Sequence, residues 1–592
     1  MRIAKIAGLI LLFAFFAFQH YPESAVYIRL NLVGYLPSDF KEAIIFSTNP
    51  ILESGVIINV DTDQEVMQLS LQPLQVSWKP FDFYYAADFS RLQQPGRYVI
   101  RIGDTFSDPF VVHDTSYQML PDAILSFMRQ QRCGYNPFLD TVCHRMDGRT
   151  FYGPWPDSTY VDVHGGWHDA GDQLKYLLTA SNATARLLLT YELAPNQFAD
   201  RVNALGQSFP NGVPDVLDEA RWGLDWLFRL HPEPNVLIHQ VGDDRDHIGW
   251  KWPQQDRSDY GWGPGSYRVA YVATGHPQGL GHYLSEATGI ANLAGRYAAA
   301  MAMAYRIWLA HGDTAFALRC LNAAEEVYAL GKAHEGYQQG NSYGAPYRYT
   351  ERTWADDMEW GAAELFKATH NPYYLQDAMQ YARQIGATSW MLQDTMAHYE
   401  YYPFVNVGHF ALYPLVDVAF QESLATFYRM GLEAIQKRAR NNPFGIGVPF
   451  LWCSNNLVSA VITQGLLYEQ MTGDLQYHQL IIRHRDWLLG RNPWGTSFFT
   501  GVPHGGEYPE DIHTSIWVLT QRVVSGGLVD GPVSIHVYRN LKGLSLVDPD
   551  EFAAVQPALV VYHDDRGDYA TNEPTMDGTA DALYWLVYWA SK

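Results

Sequence analysis

Residues 290–330 read IANLAGRYAAAMAMAYRIWLAHGDTAFALRCLNAAEEVYAL. Apolar side chains recur at helical spacing from Ile290 to His311 and again from Ala315 to Leu330, with only Gly312-Asp313 between the runs. Two helices joined by so short a turn pack as a helical hairpin. The same punctuation returns at Asn371-Pro372, between the periods Asp356–Ala368 and Leu375–Ile385, and at Gly473-Asp474, after Leu457–Glu469. Further helical periods cover Asp215–Leu230, Phe420–Arg438 and Ala580–Ala590. Intervals of about fifty to sixty residues, or twice that, fit repeated hairpins. Hairpins repeated over most of the chain can close into a ring, so a mainly α protein with a helical toroid as its body is expected.

Upstream the text changes. From Val26 to about Val112, alternating runs such as Ala43-Ile44-Ile45-Phe46, Gly55-Val56-Ile57-Ile58 and Gly96-Arg97-Tyr98-Val99-Ile100-Arg101 are separated by Pro, Gly, Asn and Asp. That pattern reads as a small β-sandwich over residues 26–114, leaving 115–592 to the helical body. Before it, Arg2 and Lys5 precede an apolar run from Ile6 to Phe18, short for a bilayer span. Residues 1–25 therefore read as an export signal, with retention as a membrane anchor the rival, and the protein is expected to be secreted or periplasmic.

The 592 residues are 47% hydrophobic and 18% charged, as in a well-buried globular protein. Net charge is −22, from 41 basic and 63 acidic side chains, with no basic stripe; this excludes nucleic acid and anionic membranes as partners and favours a neutral ligand. Aromatics reach 14% and cluster in Gly/Pro-rich stretches: Trp250, Trp252, Tyr260 and Trp262, then Tyr337, Tyr343, Tyr347 and Tyr349. Flat rings with polar edges suit the apolar faces of sugars, and they also suit pinning long loops to the body.

The chemistry sits in Gly165-Gly166-Trp167-His168-Asp169-Ala170-Gly171-Asp172. Glycines let the backbone bend and approach a ligand, so Asp169 and Asp172 present two carboxylates at one turn. Such a pair can hold and deprotonate a water if a third acid arrives from elsewhere. The plainer reading is a turn whose Asp side chains bond their own backbone. Near the C-terminus, Glu573 lies between Asn572 and Pro574 before the last helical run. Apolar neighbours there would keep it protonated, as a general acid requires; a helix-start Glu answering the macrodipole is the alternative.

The loop GGWHDAGD and the tail from Asp564 through Tyr569 and Glu573 to Thr575 resemble glycoside hydrolase family nine, in its cellulase branch with an N-terminal immunoglobulin-like domain. Supporting segments are Asn31-Leu32-Val33-Gly34-Tyr35-Leu36-Pro37, Gly212-Val213-Pro214-Asp215-Val216-Leu217-Asp218-Glu219 and Leu488-Leu489-Gly490-Arg491-Asn492-Pro493. The resemblance implies an (α/α)6 barrel that hydrolyses β-1,4-glucan with inversion. It makes Asp172 the general base, Asp169 its partner in holding water, and Glu573 the general acid. His513 and Tyr569 fall at sugar-contacting positions, and Trp262 is a further expected sugar contact. Two departures stand out: Ser515 where the family has an arginine two positions after the histidine, and Thr579 where an asparagine is usual. The lost guanidinium fork bears on substrate choice, so cellulose, a xyloglucan fragment or a glucosamine oligomer all stay open, as does a non-catalytic sugar-binding relative.

Cys133, Cys143, His144 and His168 form a donor set suited to closed, structural zinc, while a Cys133–Cys143 disulfide is the rival in an exported protein. The resemblance favours zinc, since members of the branch with the same cysteine-histidine pattern bind it there. A zinc hydrolase of another class would need an open coordination position. Asp356 and Asp357 are offered by the same resemblance as calcium ligands. Cys320 and Cys453 read as buried free thiols.

Overall fold

The computed structural model describes residues 25–393, 400–401 and 407–592. The export signal expected at the N-terminus lies outside the described residues, among which no helix is long and apolar enough to cross a membrane.

The N-terminal region is a sandwich of two antiparallel sheets. One is built from Val26–Arg29, Glu42–Ser47, Phe83–Asp88 and Gln72–Pro73, in that order; the other from Gln64–Leu69, Gly55–Asn59, Gly96–Ile102 and Thr105–Phe106, with Phe110–Val112 also on Gly96–Ile102. Ile28, Ile45, Ile57, Tyr98 and Ile100 fill the space between the sheets. The opposite face of the first sheet, with Ile44, Phe46 and Tyr84, joins the core of the helical body.

The helices of the body are α1 (Leu120–Gln130), α2 (Leu177–Leu193), α3 (Asp215–Leu230), α4 (Ala291–Ala310), α5 (Thr314–Ala333), α6 (Ala355–Thr369) and α7 (Pro372–Ile385). They continue as α8 (Gly408–Leu412), α9 (Val418–Ala439), α10 (Ser454–Thr472), α11 (His478–Leu488), α12 (Ser515–Thr520), α13 (Ile535–Tyr538) and α14 (Met576–Ala590). All three sequence-level turns are present. Asp313 caps α5 by accepting from the Phe316 N–H, Asn371 caps α7 by accepting from Tyr373 N–H, and Gly473 ends α10 with φ +72°.

The even-numbered helices α2, α4, α6, α8 and α10, then α14, touch one another in succession, and α14 returns to α2. Outer helices α3, α5, α7 and α11 each back onto an inner one. An inner helix is enclosed on all sides, and the sequences show it: every residue of α2 from Leu177 to Thr190 is buried, so no 3.6-residue stripe marks it. Close approach needs small residues. A Cβ on Gly361 of α6 would stand 2.7 Å from the Gly295 carbonyl of α4.

Two motifs picked out separately in the sequence meet at the seam between sandwich and body. The Leu32 N–H donates to the Leu489 carbonyl at 2.8 Å, and Asn31 Nδ2 donates to Asp486 Oδ1 at 2.8 Å. Arg485 pairs with Asp39 (2.8 Å), while Arg483 and Arg491 share Glu42. Removing one partner of such a buried pair costs about 3–5 kcal/mol. Long connections also form structure that periodicity did not reveal: Asp147–Phe151, Arg268–Val272, Ile238–Val241 and Lys175–Tyr176 make a four-stranded sheet leading into α2.

Candidate active site

The glycine loop is held from several sides. The Cys133 N–H donates to the Gly166 carbonyl, the His168 N–H to the Gln131 carbonyl, and the Met576 N–H, at the start of α14, to the Asp169 carbonyl. Trp167 Nε1 donates to Glu219 Oε1 at 2.7 Å, and Glu219 is paired with Arg132, so the 212–219 motif anchors the loop. Gly166 has φ +75°, and a Cβ there would lie 2.4 Å from the Trp226 ring. Gly171 is where loop and tail meet. Its N–H donates to Glu573 Oε1 at 2.9 Å, joining positions 402 residues apart.

The three acids are thus within one site, in three different environments. Asp169 is buried, and its carboxylate accepts from Thr179 Oγ1 (2.6 Å) and the Tyr349 hydroxyl (2.7 Å). Burial, with the Asp172 charge added, pushes its pKa up to about 7. Burial also works upward on Asp172, but His247, with Nε2 3.6 Å from Oδ2, outweighs it; helped by the Leu174 N–H, it holds Asp172 below the ordinary carboxylate value. Glu573 is driven the other way: burial, then the charges of Asp530 and Asp172, raise it well above normal against the Gly171 N–H. An ionised carboxylate beside a protonated one is the division of labour that acid–base hydrolysis needs.

Aromatic rings line this site in an unbroken arc. Trp250 meets His513 (centroids 4.7 Å), His513 meets Tyr569 (6.1 Å), and Tyr569 meets Trp452 (5.3 Å). Trp452 meets Tyr347 (6.0 Å), and Tyr347 meets His247 (5.6 Å), which returns to Asp172. Trp250 is 39% exposed, so its ring is open to solvent at the end of the arc. His513 donates from Nδ1 to the Arg566 carbonyl at 2.6 Å, and Tyr569 donates its hydroxyl to the Lys542 carbonyl, so both rings are fixed. Trp262 packs on Phe151 in a small cluster with Tyr260, Val269 and Tyr271, and its ring contact is with Phe151, not with a ring of the arc. Ser515 accepts from the Lys251 N–H, and Thr579 accepts from the Leu528 N–H while donating to the Thr575 carbonyl.

His247, Trp452, Thr179 and Asp530 belong to the site without having been singled out in the sequence. Trp452 and His247 carried the aromatic and imidazole signal but lay in no recognisable spacing. Asp530, before Gly531, lies in no motif.

Cys133, Cys143, His144 and His168 come together as a second cluster directly behind the loop. The Cys133 and Cys143 sulfurs are 4.0 Å apart and unbonded. Cys133 Sγ lies 3.6 Å from His144 Nδ1, Cys143 Sγ 3.9 Å from His168 Nε2, and the two nitrogens 3.3 Å apart. A tetrahedral zinc with Zn–S of about 2.3 Å and Zn–N of about 2.0–2.1 Å has edges of about 3.8 Å (S–S), 3.6 Å (S–N) and 3.3 Å (N–N). These four edges fit zinc, and all the donor atoms lie within 4.8 Å of one another. The remaining His144 nitrogen, Nε2, contacts Asp256 Oδ2 at 3.2 Å, the outer carboxylate that metal-binding histidines commonly have. Asp356 and Asp357 do not gather a metal cluster among the described residues; Asp357 pairs with Arg296, which also holds Glu351.

Residues 117–586 match the family profile described as Glycosyl hydrolase family 9, and residues 23–107 match that of the Cellulase N-terminal ig-like domain. Endoglucanase 19 of Arabidopsis thaliana is 26% identical over 423 residues, 67% of this chain and 61% of its own length. The xyloglucan-specific endo-beta-1,4-glucanase BoGH9A of Bacteroides ovatus is 26% identical over 547 residues, 85% of each chain. The crystal structure of a metagenome-derived family 9 endoglucanase superposes with a TM-score of 0.75 at 27% identity, over 96% of this chain and 99% of that one. The chain spans about three fifths of the length of the first of these relatives. With four-fifths of its residues matched by one family profile, and with that family's loop and tail motifs joined in space, the chain belongs to glycosyl hydrolase family 9.

Proposed function

We propose that this protein is an exported, inverting glycoside hydrolase that cleaves β-1,4-glucosidic bonds in cellulose or a related β-glucan. The observation that carries the reading is the Gly171 N–H on Glu573 Oε1, which brings the water-handling loop against a carboxyl of opposite protonation. Asp172, ionised, is the general base; Asp169, fixed by Thr179 and Tyr349, helps hold the attacking water. Glu573 protonates the glycosidic oxygen as that bond to the anomeric carbon breaks, while the water, giving its proton to Asp172, attacks from the opposite face. Inversion requires the base and acid carboxyls about 6.5–9.5 Å apart, room for one water and a sugar. The aromatic arc supplies platforms for glucosyl rings, and the closed succession of inner helices supports an (α/α)6 toroid as the frame.

Zinc is the group that the cysteine-histidine cluster would hold. With four protein donors it would supply cross-linking and no reaction step, tying residues 133–144 to His168 and so to Asp169. Xyloglucan is the second substrate to weigh, because of the likeness to the Bacteroides enzyme and because Ser515 leaves no guanidinium at the family's arginine position.

The test is a product profile on cellulose, xyloglucan, cello-oligosaccharides and glucosamine oligomers, with the new reducing end followed by NMR. The α-anomer should appear first. Asp172→Asn and Glu573→Gln should each cut hydrolysis by about 10²–10⁴-fold while the fold persists, and Glu573→Gln should recover on a dinitrophenyl cellobioside, whose leaving group needs no acid. Retained configuration, or full activity in either variant, would end the proposal.

A further inference from the structure

Asp530 is a buried carboxyl that the mechanism above does not use. It follows Leu528–Val529, which pairs antiparallel with Pro574–Thr575, and its N–H donates to the Glu573 carbonyl at 2.9 Å, extending that ladder by one rung onto the general acid. Its carboxyl accepts from a second segment: Trp452 Nε1 donates to Oδ2 at 2.7 Å, and Cys453 Sγ to Oδ1 at 3.2 Å. Trp452 is the central ring of the arc, between Tyr569 and Tyr347. One residue therefore bonds both the main chain of the acid and an aromatic platform next to it.

We propose that Asp530 is a positioning residue for the acid half of the reaction, holding the Glu573 backbone in register, fixing Trp452 as a sugar platform and placing a second carboxyl beside Glu573. The inference rests on Glu573 being the general acid.

The surroundings say how it acts. Facing Glu573 are Asp530, the loop carboxyls Asp172 and Asp169, and the phenols of Tyr347 and Tyr569. Facing Asp530 are Cys453, Trp452, Asp568 and Asp169, with Glu573 and Asp577 also close. Among the described residues no lysine or arginine pairs with either carboxyl; His247 serves Asp172 and His563 serves Asp568. Loss of the Glu573 proton puts a charge where its neighbour resists one, and burial has already pushed Asp530 up to about 8. After burial, the Asp530 charge is the largest influence raising Glu573. An amide at position 530 keeps an acceptor for Trp452 but removes the neighbouring charge, so Glu573 should release its proton at lower pH.

The experiment measures kcat and KM against pH on cellotetraose for wild type, Asp530→Asn, Asp530→Ala and Trp452→Phe, with Glu573→Gln alongside. Asp530→Asn should move the alkaline limb of kcat down by about one pH unit, with KM near wild type. Asp530→Ala should add a rise in KM of about threefold or more, from loss of the hydrogen bond to Trp452. Trp452→Phe reads that bond from the other side and should show the same rise, even if Asp530→Ala does not fold. An unmoved alkaline limb in Asp530→Asn together with unchanged KM in Trp452→Phe overturns the inference. If Glu573→Gln is inactive in that case, the acid assignment survives; if it is active, both fall.

Discussion

Gly171→Ala is the sharpest probe of how loop and tail meet. Its φ lies outside the left-handed region, so alanine meets no backbone penalty and only space decides the outcome. A Cβ built there would stand 2.2 Å from the His513 carbonyl oxygen and 2.7 Å from Glu573 Oε1, where ordinary contact begins at 3.4 Å. The nearer clash is with backbone, which cannot rotate away, so loop and tail must part by about an ångström, lengthening the 2.9 Å hydrogen bond. Misplacement of that size costs about 10²-fold in rate, or about 2.7 kcal/mol of barrier, and overpacking of this kind costs about 1–3 kcal/mol of stability. Steady-state kinetics on cello-oligosaccharides, paired with thermal unfolding, reads both quantities. Activity close to wild type in a folded Gly171→Ala protein would mean that the loop and tail do not work in the observed contact.

The other expectations concern parts of the same frame. The purified protein should contain one zinc per chain by mass spectrometry of the metal, and Cys143→Ser should lose it and melt earlier; free zinc at about 1,000 times Kd stabilises by about 4 kcal/mol, and finding Cys133 bonded to Cys143 would refute this. Tyr349→Phe removes the 2.7 Å donor to Asp169 and should lower kcat/KM by about tenfold or more without changing Tm greatly; an unaffected rate would detach Asp169 from water handling. Trp262→Ala should lower Tm and leave KM unchanged, because its ring packs on Phe151 away from the arc; a raised KM would return Trp262 to the substrate. Asp169 and Asp564, both raised to about 7, and Asp530, raised to about 8, hold protons in the folded protein that the unfolded chain releases near pH 4. Their contribution is complete below that pH and is lost as pH climbs through 7–8, so Tm from scanning calorimetry should fall between mildly acidic and mildly alkaline buffer; a rise over that range would contradict the shifts.

Amphipathic outer helices were legible because their periodicity is written within a few turns: α3 matches the expected Asp215–Leu230 end to end, and α9 to within two residues. α2 went unread, with no polar face to set a period, although α4 and α10, enclosed to a similar degree, were read from their apolar runs. α1 went unread and α11 was expected only as the helix after Gly473-Asp474, without bounds; the sheet formed by the long connections also went unread, since strand pairs such as Asp147–Phe151 with Arg268–Val272 join partners over a hundred residues apart. Among site residues, those in dense motifs were readable: Asp169, Asp172, Glu573 and the cysteine-histidine set. His247, Trp452 and Asp530 sit in unremarkable text and join the site only through what they face.

The sequence by itself pointed to the family, most of the helices, the N-terminal strands and the three candidate acids, since helix period, turn chemistry and short motifs are local properties of a chain. Tertiary structure supplied the partners that push the two acids apart in pKa. Asp172 and Glu573 carry the same functional group, and no spacing separates their roles. Burial pushes both upward, but His247 answers Asp172 with a positive partner, whereas Glu573 meets Asp530, another carboxyl. Solvation and Coulomb energy depend on distance in space, which chain order does not record.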